Sequence, residues 1–177
     1  MEVYHERPTD CTDRLPKEVA VYDLLDELQI PYDRVDHYAM MTIDDCHIVD
    51  EALDISVCKN LFLCNQQKTK FYLLMMPGEK KFVTKEVSKQ IGSARLSFAK
   101  ENFMEEYLNI LPGAVSVMGL MNDTENHVQL LVDRDVIEAE YVGCHPCVNT
   151  SSIKITTKDL LEKFLPRVHH DCQVIDL

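Results

Sequence analysis

Glycine and proline are scarce, five and seven among 177 residues, so collagen-like and low-complexity architectures are excluded. No apolar run approaches the roughly 18 residues needed to span a bilayer. The start, Met1-Glu-Val-Tyr-His-Glu-Arg-Pro8, lacks the apolar stretch of a secretory signal, and the end, Asp171-Cys-Gln-Val-Ile-Asp-Leu177, is no prenylation box. Basic residues are also short, 18 against 30 acidic, and the resulting charge of −12 argues against a generally basic nucleic-acid binder. No G-x-S-x-G, Walker loop, dinucleotide fingerprint, H-E-x-x-H or EF-hand loop occurs. What remains has 46% hydrophobic and 27% charged residues, the composition of one folded domain with a sizeable core. Seven scattered cysteines without a signal peptide read as reduced thiols of a cytoplasmic protein.

Residues 1–15 read as an arm and 16–177 as the domain. Pro16 opens a helix whose apolar stripe runs through Val19, Tyr22, Leu25 and Leu28, and Pro31 ends it. Tyr32 to Ala39 reads as a strand. Thr42 with Asp45 forms a capping box for a second helix reaching Leu53. Val57–Cys64 and Lys70–Met76, joined by polar residues, form a hairpin whose second arm is apolar on both faces, as a central strand is. Helices are expected over 84–91 (ending at Gly92), 98–109 and 157–165 (ending at Pro166), with Thr156 and Asp159 as another capping box. Strands are expected over 127–133, 140–144 and 152–155. Hairpins outnumber strand–helix–strand units, so the fold is mixed α/β, a single domain with a mostly antiparallel or mixed sheet covered by helices.

Charge is segregated. Residues 59–100 hold nine basic residues against two acidic, a local +7, leaving −19 elsewhere. A phosphate-rich partner meets attraction at one face only. The alternative is that these lysines merely coat a helix and a hairpin.

Three features carry candidate chemistry. Cys144-His-Pro-Cys147 has redox spacing, but a loop and strand follow it where a thioredoxin-like motif needs a helix. A zinc site would need a second ligand pair, and His169-His170-x-Cys172 lacks the usual spacing. Two packing cysteines around a structural His-Pro is the favoured reading. Lys59 alternates in line with Val57, Leu61 and Leu63, so its ammonium either leaves the strand end for water or stands at a pocket mouth to hold a carbonyl or phosphate oxygen. Pro112-Gly-Ala-Val-Ser-Val-Met-Gly119 is a small-residue turn able to present backbone N–H groups, or simply a helix terminator.

Together the stretches Lys59-Asn-Leu-Phe-Leu63, Lys70-Phe-Tyr-Leu-Leu74, Gly92-Ser-Ala-Arg-Leu-Ser-Phe-Ala99, Pro112-Gly-Ala-Val-Ser116, His145-Pro-x-x-Asn149-Thr150 and Asp159-Leu-Leu161 resemble the YbaK/ProX family of aminoacyl-tRNA deacylases, over Pro16 to Leu177. The chain looks most like the free-standing ProX/PrdX branch, similar to proteins that clear alanine from proline tRNA. Two departures stand out: cysteines flank His-Pro where the family has apolar residues, and Ser116-Val-Met-Gly119 replaces a common Ser-Pro-Phe-Gly.

The resemblance implies hydrolysis of the ester between amino acid and terminal ribose, with no cofactor and no metal. A synthetase pocket for proline rejects smaller alanine by only about 1–3 kcal/mol, so a second, smaller pocket completes a double sieve. It implies that Lys59 orients the ester or terminal nucleotide as the key catalytic residue. Asn60 and the Gly113, Ala114, Val115 and Ser116 loop would bind the aminoacyl group, and His145 and Asn149 would shape the pocket floor. His37 and Thr42 take the positions of the family's early His and Thr. Water is the implied nucleophile, helped by the ribose hydroxyl. Lys80, Lys81, Lys85, Lys89 and Arg95 would meet phosphates near the single-stranded acceptor end. The implied partners are a mischarged tRNA, expected to be tRNA(Pro), and prolyl-tRNA synthetase, with no membrane. The readings from other classes are a non-catalytic tRNA- or synthetase-binding relative and a C-x-x-C redox protein.

Overall fold

Period-two alternation of large apolar side chains in Phe71–Pro77 sets the centre of the molecule. In the computed structural model, which describes residues 1–40, 43–56 and 58–177, this strand (β3) is buried at every position but its last. Phe71, Leu73 and Met75 enter the main core, while Tyr72, Leu74 and Met76 enter a second core on the opposite face. Such two-sided burial is what a central strand requires.

The elements before β3 are α1 (Pro16–Glu27), β1 (Asp33–Asp36), α2 (Ile43–Leu53) and β2 (Cys58–Asn65). After it come α3 (Thr84–Ile91), β4 (Leu96–Phe98), α4 (Glu101–Leu108), a 3-10 turn (Val117–Asn122), β5 (Val128–Asp133), α5 (Arg134–Glu138), β6 (Tyr141–Cys144) and β7 (Ser151–Thr156). Helix α6 (Thr157–Asp159) runs through a π-helical turn (Leu160–Phe164) into α7 (Leu165–Arg167), and β8 (Cys172–Ile175) closes the chain.

The described residues form two sheets. One has five strands in the order β4-β2-β3-β5-β8, antiparallel on the β2 side and parallel from β3 through β8. The other has three antiparallel strands, β1-β7-β6. The main core draws on both sheets: Phe62, Leu73 and Leu130 of the larger join Val142, Ile153 and Ile155 of the smaller, with Tyr22 and Leu25 of α1. Val87 of α3 belongs to the second core. A third cluster packs Val49 and Leu53 of α2 against Val35 of β1.

Most expected elements are present, and four details are corrected. The strand expected over 32–39 is limited to Asp33–Asp36. Residues 96–98 pair with β2 as a short edge strand, so α4 begins at Glu101 rather than 98. Pro166 lies inside the last helix: lacking an N–H, it cannot donate to the carbonyl four residues back, and the wider π turn precedes it. Strand β8, three of whose four residues keep some exposure, has too weak an apolar pattern to be read in sequence.

The arm is tied down. Tyr4 and Arg34 exchange two backbone hydrogen bonds of 2.8 and 2.7 Å, and the buried Arg34 guanidinium lies 4.5 Å from the Tyr4 ring centre. Arg14 grips Asp36 at 3.1 and 2.8 Å and Glu18 at 2.6 Å. Burial alone would raise the Asp36 carboxyl, but bonds from Arg14 and Arg34 hold it at about 2. The Thr42 half of the expected capping box lies outside the described residues, whereas Thr156 does cap Asp159, at 3.0 Å.

Candidate active site

The start of β2, helix α2, the loop around Val115 and the β6–β7 connection enclose a cavity of about 220 Å³. Its apolar walls include Met40, Val49, Ile55 and Val115, and Lys59, Asn60, Asp50, His145 and Ser152 supply polar atoms. Gly143 shapes one wall by close approach: a Cβ there would stand 2.1 Å from Ile55 Cδ1.

Lys59 reaches this position by register. It pairs with Met76, one residue short of the strand end, so its side chain meets the turn that follows β3. Its ammonium donates to the Gly78 carbonyl at 3.1 Å and to the Lys80 carbonyl. Lys59 lines the cavity with its ammonium fixed by two backbone carbonyls, leaving one N–H of its three. Its neighbour Asn60 donates from Nδ2 to the Cys58 carbonyl at 3.5 Å, while its buried Oδ1 has no partner among the described residues.

His145 and His37 are joined through Ser152. His37 Nε2 lies 2.9 Å from Ser152 Oγ, which lies 3.3 Å from His145 Nδ1. His145 Nδ1 also faces the Ser151 carbonyl at 3.0 Å. Since a carbonyl only accepts, Nδ1 carries the proton and Nε2 is the acceptor nitrogen of the neutral ring. Burial holds His145 below its ordinary pKa and so keeps it neutral, with the Ser151 bond opposing and His37 reinforcing the effect.

The other expected site residues divide into two groups. Val115 lines the cavity. Ala114 is buried in the main core, and Ser116 is fully sealed, donating to the His145 carbonyl at 2.6 Å and accepting from the Met118 N–H at 3.1 Å. The Ser116 hydroxyl thus holds the loop to His145. Gly113 adopts φ +86°, which suits glycine, and a Cβ there would lie 3.3 Å from Asn149 Nδ2. Gly113 and Asn149 thus meet beside the loop rather than in the cavity wall. Thr42 lies outside the described residues. Asp50, Cys58 and Ser152 are cavity residues the sequence reading missed. The i, i+3, i+4 spacing of Cys46, Val49 and Asp50 on α2 was the available signal.

The thiols do not look like redox groups. All seven cysteines are free. Burial pushes Cys144 well above the ordinary thiol range and Cys147 and Cys58 up to about 12, so the reactive thiolate is suppressed. Among the described residues no three His, Cys, Asp or Glu side chains gather as metal ligands. His170 is instead engaged with Asp123 at 3.1 Å.

The residues of the basic stretch differ in their surroundings. Lys81, Lys85, Lys89 and Arg95 are exposed. Lys80 is not a free cation: its ammonium contacts buried Asp133 at 3.0 Å, Asp135 at 2.7 Å and the Leu177 carbonyl oxygen at 2.7 Å. Among the described residues, no helix is long and apolar enough to cross a membrane.

The fold that carries this cavity is a two-sheet α/β domain, with apolar and polar side chains from α2, β2 and the β6–β7 connection meeting in one place. Residues 39–163 match the family model of the aminoacyl-tRNA editing domain, and the chain belongs to that family and is an aminoacyl-tRNA deacylase. Among curated relatives, the prolyl-tRNA editing protein ProX of Acetoanaerobium sticklandii is 33% identical over 89% of this chain and 96% of its own length. The prolyl-tRNA synthetase associated domain-containing protein 1 of Danio rerio is 29% identical over 84% of this chain and 80% of its own. A solved structure described as a candidate trans-editing enzyme for prolyl tRNA synthetase shares the fold, with a TM-score of 0.66 over 92% of this chain and 97% of that one at 18% identity.

Proposed function

We propose that the chain acts in trans to remove a small, wrongly attached amino acid, alanine first, from tRNA(Pro). The observation that carries this reading is the cavity of about 220 Å³ between α2, β2 and β6. It falls below the roughly 300–1,000 Å³ of pockets for drug-sized ligands, a volume suited to an aminoacyl group rather than a whole nucleotide. The likeness to the prolyl-tRNA editing protein ProX supports the choice of tRNA.

In this reading Lys59 directs its remaining N–H to an oxygen of the ester or the terminal nucleotide, its position fixed by the Gly78 and Lys80 carbonyls. Asn60 and Val115 contact the aminoacyl group, and neutral His145 forms the floor, oriented by Ser151 and Ser152. His37, Ser116 and the Gly113–Asn149 pair hold that floor and loop in place rather than touching substrate. The sealed Ser116 and suppressed thiols leave water, helped by the ribose hydroxyl, as the nucleophile. Lys81, Lys85, Lys89 and Arg95 meet acceptor-stem phosphates. Prolyl-tRNA synthetase is the partner from which the mischarged tRNA is received.

The test is a panel of tRNA(Pro) charged with alanine, cysteine, serine or proline, incubated with purified protein. Alanine is expected to be released and proline spared. Salt-sensitive tRNA binding with no ester cleaved would instead support a non-catalytic relative.

A further inference from the structure

Two buried acceptor atoms on residues that line the cavity are left without donors. Asp50 Oδ2 and Asn60 Oδ1 are both buried, both belong to residues lining the same space, and neither has a hydrogen-bond partner among the described residues. They come from different elements, α2 and β2, and Asp50 is close enough to both walls to push up the thiols of Cys46 and Cys58. Asn60 is oriented by its own amide, whose Nδ2 is engaged by the Cys58 carbonyl.

A buried acceptor left unmade is costly, so such a pair marks where a ligand must bring protons. Both atoms accept and one belongs to a carboxyl group. The matching group is therefore a donor with at least two N–H or O–H bonds and preferably positive charge, whereas a phosphate or carboxylate would be repelled. Met40, Val49, Ile55 and Val115 form an apolar part of the wall that suits a short apolar side chain, with Lys59, His145 and Ser152 as the other polar groups lining the space. An aminoacyl ester has this combination: a primary ammonium on the carbon that bears the small side chain.

We propose that Asp50 is the receptor for the α-ammonium group of the aminoacyl ester, sharing it with the amide oxygen of Asn60. The inference rests on the deacylase reading and adds the determinant by which the cavity recognises an amino acid rather than any small acyl group. Without a ligand, burial raises the Asp50 carboxyl to about 6, with His47 opposing, and an ammonium partner relieves that unfavourable burial.

The experiment compares alanyl-tRNA(Pro) with lactyl-tRNA(Pro), in which a hydroxyl replaces the ammonium, using wild-type protein and Asp50→Asn. The replacement keeps the shape of the half-buried side chain and removes its charge. Expected is a rise in KM for the alanyl ester of about tenfold or more with kcat little changed, the scale of a lost charge-assisted hydrogen bond. The lactyl ester is expected to be cleaved by both proteins with kcat/KM within about twofold. An equal fall on both esters would overturn the inference, since Asp50 would then act on the attacking water or on the fold. Unchanged kinetics on both would also overturn it. If wild-type protein cleaves neither ester, the deacylase reading itself fails and this inference falls with it.

Discussion

Ser116 is bound to His145 through the backbone: its hydroxyl donates 2.6 Å to the His145 carbonyl while capping the 3-10 turn through Met118. Ser116 is fully buried. Ser116→Ala leaves a buried carbonyl and a turn N–H unpaired, and the expected loss is about 1–3 kcal/mol. Urea unfolding checks this. Deacylation per folded molecule should survive within several-fold, whereas complete loss in a well-folded variant would make Ser116 a reacting group.

Asp123 supports the other end of the domain. It accepts from the His127 and Val128 N–H groups at 2.9 and 2.8 Å and faces His170 Nε2 at 3.1 Å, with His127 Nδ1 3.4 Å away. Burial would raise the Asp123 carboxyl, but the bond from His170 and the two backbone N–H groups lower it; burial would lower His170, but Asp123 raises it. The signs give a window. The Asp123 contribution is present above the ordinary carboxylate pKa and fades as pH falls through the lowered value. The His170 contribution is complete below the ordinary histidine pKa and fades as pH rises through the raised value. Thermal unfolding should therefore show this contribution greatest at mildly acidic pH, and His170→Gln should flatten its alkaline decline. Asp123→Ala should cost about 3–5 kcal/mol, the scale for breaking a buried pair.

The buried thiols make a prediction about modification. Cys144 and Cys147 should react with iodoacetamide at neutral pH far more slowly in the native protein than in urea, on the order of a hundredfold. Cys147→Ala should keep deacylation within about threefold, at some expense of stability. Loss of all activity in a folded Cys147→Ala protein would restore a redox role. Mass spectrometry and the ester assay decide.

Lysines of the basic stretch should separate into two kinds. Lys85 and Lys89, exposed on α3, should act through charge: Lys85→Glu with Lys89→Glu should raise KM for the tRNA about tenfold and reduce its salt dependence. Lys80→Ala should instead lower stability, because it leaves the buried Asp133 without its cation. KM against salt and melting temperature distinguish them.

The central place of β3 was readable because a strand apolar on both alternating faces must be covered on both, and Gly92 after α3 was readable because a left-handed C-cap suits glycine. Sequence could not show that Lys80 and Lys85 differ, since the Asp133 that holds Lys80 lies 53 residues away along the chain. Nor could it show where Ser116 and Asp50 lie. A serine in a small-residue loop looks available until its neighbours seal it, and an aspartate among the acids of α2 looks solvated until the cavity is seen. The motif residues Lys59, Asn60, Val115 and His145 do line one cavity, from separate stretches of chain.

The most direct measurement is the release of labelled alanine from Ala-tRNA(Pro) by wild-type protein beside Lys59→Ala, with circular dichroism confirming that the variant is folded. The account predicts rapid release by the wild type and a fall of about a hundredfold or more in the variant, the scale of losing one preorganised donor at a reacting oxygen. Equal rates for the two proteins, or no release by the wild type, would contradict it.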